Sequence, residues 1–478
     1  MTRLLALALA VPSAQAAAPT LEALLPAGGM AGSEFKVEAV GKAEPWPVEV
    51  WCSHPDVRFV ADAENENTFE VTIAGGAAPG ACLVRTINGE GASEPRTFVV
   101  GTGPEVAEAP DHETLTNPQR IDQPLPLVVN GRLAKGGEAD FYALALEDGQ
   151  HLRARLDGHS LGSPIDPHLF VYDAAGARLA MANDSPGALD PCLDFVAPSA
   201  GDYTLAVMAF QHPPSASVTF HGHASAVYRL ALSWGEEERP APDVPPAVFP
   251  GAPPFDGPVG LRGEVVPLCV REGERWLLTA EAEEFDPVLR IVAPGGELVK
   301  EADDTRFSDA AEFLWKVGGD GIYGISVRDR FGRSGQARLG VNVPVPTFSA
   351  GVERSTYEVE AGGETKIEID IRRELGHEGG LAVQCVALPA GVTAEVGEVS
   401  EGDAKVELTL RAADDAPAAS GRWNVGVVEA AETGPSMTLA AYAFPNAEPR
   451  GTLLVPETAD LWLTVRPKDP APHEPASD

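Results

Sequence analysis

Apolar and polar positions alternate in short runs along most of the chain. Phe35-Lys36-Val37-Glu38-Ala39-Val40 and Lys366-Ile367-Glu368-Ile369-Asp370-Ile371 are clear cases, with every second side chain turned to one face. A period of two marks a strand with one buried and one wet face. Glycine (49 residues) and proline (43 residues) punctuate these runs. Turn residues recur about every 8–12 positions, the spacing of sandwiches and barrels. No segment carries the period of a long amphipathic helix, a heptad repeat, or the strand–helix alternation of a parallel α/β sheet. The pattern predicts an all-β chain.

Two segments interrupt it. Residues 101–126 are polar and contain proline, and 235–258 read GEEERPAPDVPPAVFPGAPPFDGP. Such proline density favours extended polyproline geometry over packing. The chain therefore divides into tandem β-sandwiches at 20–100, 118–234, 257–343 and 348–467, with linkers at 101–117 and 235–256 and a polar tail at 468–478. At 478 residues it exceeds what one core serves.

The two central blocks repeat each other. Asp166-Pro167-His168-Leu169, Asn183-Asp184, Leu193-Asp194-Phe195 and Gly201-Asp202-Tyr203 recur 120 positions later. There they read Asp286-Pro287-Val288-Leu289, Asp303-Asp304, Phe313-Leu314-Trp315 and Gly321-Ile322-Tyr323. Before the first Asp-Pro the second copy is shorter.

The first copy resembles the bacterial pre-peptidase C-terminal domain, a β-sandwich often appended to secreted peptidases. The likeness rests on Val129-Asn130-Gly131-Arg132-Leu133, Gly136-Gly137-Glu138-Ala139-Asp140-Phe141-Tyr142, Asp166-Pro167 and Pro198-Ser199-Ala200-Gly201-Asp202-Tyr203. The second copy lacks the Gly-x-x-Asp-x-Phe stretch. The first block resembles an IPT/TIG immunoglobulin-like domain through Leu21 to Leu25, Pro26-Ala27-Gly28-Gly29 and Gly32, leading into Phe35-Lys36-Val37. The last block is similar to bacterial Ig-like domains, through Leu388-Pro389-Ala390-Gly391-Val392, Val406 to Leu410, and a closing strand at Trp462-Leu463-Thr464-Val465. In such families these modules serve adhesion, anchoring or targeting, and the chemistry resides in a separate domain.

Charge narrows the partners. With 71 acidic against 35 basic side chains the formal charge is −36, which repels nucleic acid and anionic lipid. Arg3, the apolar run Leu4 to Val11, and Ala14-Gln15-Ala16 have the order of a signal peptide at 1–16, cleaved near Ala16. No run reaches the ~20 apolar residues of a membrane helix. The expected location is outside the cytoplasm, secreted or periplasmic. Cys52 and Cys82, within one block, are positioned to form a disulfide after export. Cys192, Cys269 and Cys385 fall one per later block and are expected as buried, reduced thiols.

Candidate chemistry is loop-borne. Asn183, Asp184 and Asp190, mirrored by Asp304 and Asp309, gather the oxygens that Ca²⁺ prefers. The pre-peptidase resemblance also implies calcium, with an acidic stretch at the domain entrance, where this chain has Glu108-Ala109-Pro110-Asp111-His112-Glu113. Asx turns explain the same loop residues without a metal. Gly158-His159-Ser160-Leu161-Gly162 matches the serine-hydrolase elbow but has no strand-to-helix scaffold. His212, His221 and His223 cluster without a third ligand type for copper or zinc. Trp46 is the candidate for stacking on a sugar ring. The expectation is a non-catalytic binding or scaffold protein contacting an extracellular polysaccharide, a cell-envelope component or a secreted protein. The rivals are a divergent secreted hydrolase or peptidase, or the accessory subunit of one.

Overall fold

A computed structural model describes residues 17–185, 188–214, 219–235, 255–282, 285–303, 310–397, 399, 404–429, 436–445 and 453–468. The expected signal peptide and residues 236–254 of the second linker lie outside them. Among the described residues all regular structure is β-strand, apart from one 3₁₀ turn at His159–Leu161. The alternation read from the sequence sets the faces. In Glu34–Lys42, Val37 and Ala39 are buried while Lys36 and Glu38 are exposed. In Glu364–Glu374, Ile367, Ile369 and Ile371 enter the core.

The first sandwich packs the sheet Thr20–Leu25, Glu34–Lys42, Thr68–Ile73, Val57–Ala61 against the sheet Gly28–Met30, Arg96–Gly101, Gly80–Asn88, Glu49–Cys52. The last sandwich pairs a six-stranded sheet with one ordered Thr356–Glu360, Leu461–Arg466, Ala419–Glu429, Leu381–Val386. Its core surrounds fully buried Trp423.

The two central sandwiches share a topology. One sheet of the second is ordered Leu127–Arg132, Val227–Trp234, His151–Asp157, Cys192–Val196. Its other sheet runs Asp140–Leu146, Gly201–Gln211, Ile165–Asp173, Arg178–Ala182. In the third, Phe255–Gly260, Gln336–Asn342, Arg275–Glu281, Ala311–Lys316 face Arg262–Val270, Gly321–Asp329, Pro287–Val292, Leu298–Ala302 in the same orders. Even register is kept: Phe170 opposes Ala206 as Arg290 opposes Ser326, each pair 120 positions apart from its counterpart. Tyr203 packs on Phe195 and donates to the Ser199 carbonyl. Tyr323 packs on Trp315 and donates to the Gly319 carbonyl. The repeat in the sequence is thus one aromatic corner built twice.

The segment expected as the first linker is built into the second sandwich. Glu105–Ala107 adds a parallel strand to Leu127–Arg132, and Gln119–Arg120 adds one to Asp140–Leu146. Two of its polar residues, Glu105 and Glu108, bond into that sandwich.

Contacts also join sandwiches distant in sequence. Arg85, fully buried, donates to the carbonyls of Ser93 and Asp460. Trp51 meets Trp462 edge-on with ring centroids 6.2 Å apart. Ser355 Oγ donates to Glu94 Oε2 at 2.8 Å. The first and last sandwiches therefore dock through the outer faces of two sheets. The last also reaches the second, where the Leu454 amide donates to the Ser160 carbonyl at 2.9 Å. Around that bond Ala23, Ala27, Leu161 and Val227 form a small apolar cluster against Leu454. Arg132 and Glu38, 3.0 Å apart, link the first two sandwiches.

Candidate functional site

The most concentrated chemistry lies where the entrance segment meets the second sandwich. Glu105 fixes that segment. Its Oε1 pairs with the guanidinium of Arg229, and its Oε2 accepts from Asn130 Nδ2 at 2.8 Å. Glu105 and Arg229 side chains are 8% and 6% exposed, so the pair is desolvated. Three residues on, the amide of Glu108 donates to Asn130 O, and its Oε2 accepts from the amide of Arg132 at 2.9 Å. Gly131 permits this approach: a Cβ there would lie 2.4 Å from the Tyr228 ring and 2.6 Å from Glu108 Oε2. The carbonyl of His112 then accepts from the amide of Phe141.

These bonds bring Glu108, His112 and Asp140 together, with one ligand atom from each within 4.8 Å of the others. Asp140 opens its strand with a side chain 0% exposed. Its Oδ2 accepts from the Tyr228 hydroxyl at 2.6 Å, while Oδ1 has no hydrogen-bond partner and faces His112 Nε2 at 3.7 Å. Tyr142 joins its hydroxyl to Tyr228 and to His112 Nε2, the latter at 3.2 Å. Burial pushes the Asp140 carboxyl up to about 8, and repulsion from Glu108, Glu138 and Glu113 adds to this. Burial likewise pushes Glu108 up to about 7 and His112 down. Two desolvated carboxylates and an imidazole with one orphaned oxygen form a site that a cation or a proton relieves.

The residues expected to hold calcium are placed differently. Asn183 and Asp184 are exposed on their turn. Asp190 is buried elsewhere, its two oxygens accepting from the amides of His159 and Ser160 at 2.8 Å each. It caps the 3₁₀ turn, and burial raises its carboxyl to about 6. Asp304 and Asp309 lie outside the described residues. Trp46 packs on Phe69, centroids 5.4 Å apart, and donates to Asp62 O, the bonds of a core-edge residue. His212 rests edge-on against His159, and His223 Nδ1 bonds Ser225 Oγ. His212 and His223 thus have different partners, and 219–223 are not strand. Cys192 is exposed rather than buried, because the phase of Cys192–Val196 turns Leu193 and Phe195 inward. Ser160 sits on the 3₁₀ turn, its carbonyl occupied by the last sandwich.

Glu108, His112 and Asp140 were all visible in the sequence as the entrance stretch and the Gly-x-x-Asp-x-Phe stretch. What the sequence lacked was the 30-residue separation closing into one point.

No protein-family model matches the chain. No curated protein matches it either. Among solved structures, 95% of the chain aligns with domains 1–6 of surface layer protein SbsC, at 11% identity and a TM-score of 0.18, spanning 55% of that chain. Fibronectin(III)-like modules of Clostridium thermocellum CbhA align over 36% of this chain and 86% of theirs, at 13% identity and a TM-score of 0.13. The N-terminal eight Ig domains of Down Syndrome Cell Adhesion Molecule align over 87% and 70%, at 9% identity and a TM-score of 0.16. The pre-peptidase and IPT/TIG resemblances rest on the residues quoted for them.

Proposed function

We propose that the chain is an exported, non-catalytic scaffold or adhesion protein. Its interlocked sandwiches hold edges and loops toward an extracellular polysaccharide, a cell-envelope component or a secreted protein. The observation that carries this reading is the docking of the first sandwich onto the last through Arg85, Trp51–Trp462 and Ser355–Glu94. Outer sheet faces spent on one another make a stiff body rather than a loose string, which suits a spacer. The one hydrolase-like motif contributes its backbone to the same assembly. The test pairs two assays on the purified mature chain. It is expected to show no peptidase, esterase or glycosidase turnover and to be retained on a polysaccharide or envelope fraction. Turnover abolished by Ser160→Ala overturns the reading in favour of a hydrolase.

A cation in the second sandwich has its own support in the Glu108–His112–Asp140 cluster. These residues would hold it, and its charge would compensate the two carboxylates. The imidazole moves the donor set from the all-oxygen cage of calcium toward the mixed nitrogen–oxygen set of zinc or manganese. Ca²⁺, Zn²⁺ and Mn²⁺, each at millimolar concentration after chelation, are expected to separate by how far they raise the thermal midpoint. A midpoint moved by none of them retires the cation.

A further inference from the structure

The edge of the first sandwich carries a second reactive arrangement. Glu49–Cys52 runs antiparallel to Gly80–Asn88, with Cys52 opposite Val84 and Trp51 opposite Arg85. Cys82 lies one pleat from Val84, on the same face. The two sulfurs are in contact at 3.8 Å, against about 2.05 Å for a bond. Cys82 is buried and donates to the Phe98 carbonyl at 3.3 Å, whereas Cys52 is half-buried at the strand end. We propose that Cys52 and Cys82 are a disulfide-forming pair whose bond clamps the edge strand bearing Trp51 and so secures the dock between first and last sandwiches. The accessible sulfur is the attacking one. Contact with Cys82 holds the Cys52 thiol below its ordinary range, and the same contact together with burial holds Cys82 above it.

The oxidant required is a small or protein disulfide. The Cys52 thiolate attacks one of its sulfurs, forming a mixed disulfide and releasing the other as a thiolate, which takes up the proton Cys52 lost. Cys82 then loses its proton and attacks Cys52 Sγ, expelling the second oxidant thiolate, which that proton neutralises. Two protein thiols become one disulfide, and the oxidant is reduced to two thiols. Because Trp51 directly precedes Cys52 in the chain and meets Trp462, the state of this bond reaches the last sandwich.

The proposal is independent of the export reading, since a glutathione disulfide buffer supplies the oxidant. After incubation of the full chain, thiol titration in denaturant is expected to fall from five to three, leaving Cys192, Cys269 and Cys385. The intact mass should fall by two hydrogens, and peptide mapping should join Cys52 to Cys82. Five reactive thiols, or a cross-link mapped elsewhere, overturns the pairing. The clamp is read separately by amide exchange. Oxidation should slow exchange at Trp51 and in Leu461–Arg466 of the wild type and leave Cys52→Ser unchanged. Equal exchange in oxidised and reduced wild type overturns the link to the dock.

Discussion

The two central sandwiches have one topology and one aromatic corner, yet they treat the same sheet face in opposite ways. In the second sandwich Phe141, Phe170 and Ala206 are buried beneath the entrance segment, with Leu115 packed on them. In the third, Val265 stands opposite Ser326 as Phe141 stands opposite Ala206, and it is 56% exposed. Ile322, on the same strand as Ser326 and opposite Cys269, is 59% exposed. The buried polar cluster divides the same way. By register Tyr142 corresponds to Val266 and Tyr228 to Ala337, so the third sandwich has apolar side chains where the second has two hydroxyls. Topology is fixed by the core and the corner. What the outer face and entrance do is written in the segment that precedes the first core strand.

The sharpest way to break this comparison is Glu105→Ala. It leaves Arg229 buried without its partner, a loss of about 3–5 kcal/mol. Amide exchange should rise across 119–234 and stay unchanged across 255–342; equal rises in both would dissolve the distinction. Phe141→Ala should cost about 3 kcal/mol, because its ring fills the space under the entrance segment. The matching Val265→Ala should stay within about 0.5 kcal/mol in urea unfolding.

Acidity provides the third contrast. Asp140 at about 8 and Glu108 at about 7 stand above unfolded values near 4. The folded state therefore holds more protons, so their stabilisation is full below about pH 4 and is lost as pH climbs through 7 to 8. Chelated protein should lose stability from the second sandwich between pH 5 and 8, by up to about 1.4 kcal/mol per pH unit for each of the two carboxyls, with the third flat over that range. A second sandwich gaining stability over that range would contradict the burial of these carboxyls. Smallest is the shared corner. Tyr203→Phe and Tyr323→Phe should each cost about 1 kcal/mol, the former slightly more given its 2.7 Å bond against 3.2 Å. An effect at only one of the two would show that the corner is not equivalent.

Much of this fold was legible. Alternation at 34–42 and 364–374 named the inward faces, and the 120-residue offset marked the two central blocks as copies of one another. The candidate site was half legible. Both of its stretches stood out, but Glu105 and Glu108 lie in a polar, proline-containing segment whose composition is that of spacer. A carboxylate bonded to a buried guanidinium looks, in sequence, like one bonded to water. Arg85 and Trp462 were obscure for a related reason: periodicity says which face a strand turns to its own core, and nothing about what covers the other. The bonding of Asp190 was not legible, since its sequence neighbours are loop oxygens while its partners are the amides of a turn thirty residues earlier.

The docking of first onto last sandwich has a mechanical corollary. Asn88, on the docked sheet, also holds the Ala17 carbonyl at 2.7 Å, while Leu461–Arg466 supplies the opposing surface. Tension entering near residue 17 and leaving near residue 468 therefore crosses the chain at this interface. The path runs through Trp51–Trp462 and Arg85–Asp460 and bypasses the two central sandwiches. A load applied between those points would have to open this interface before it reached the central chain.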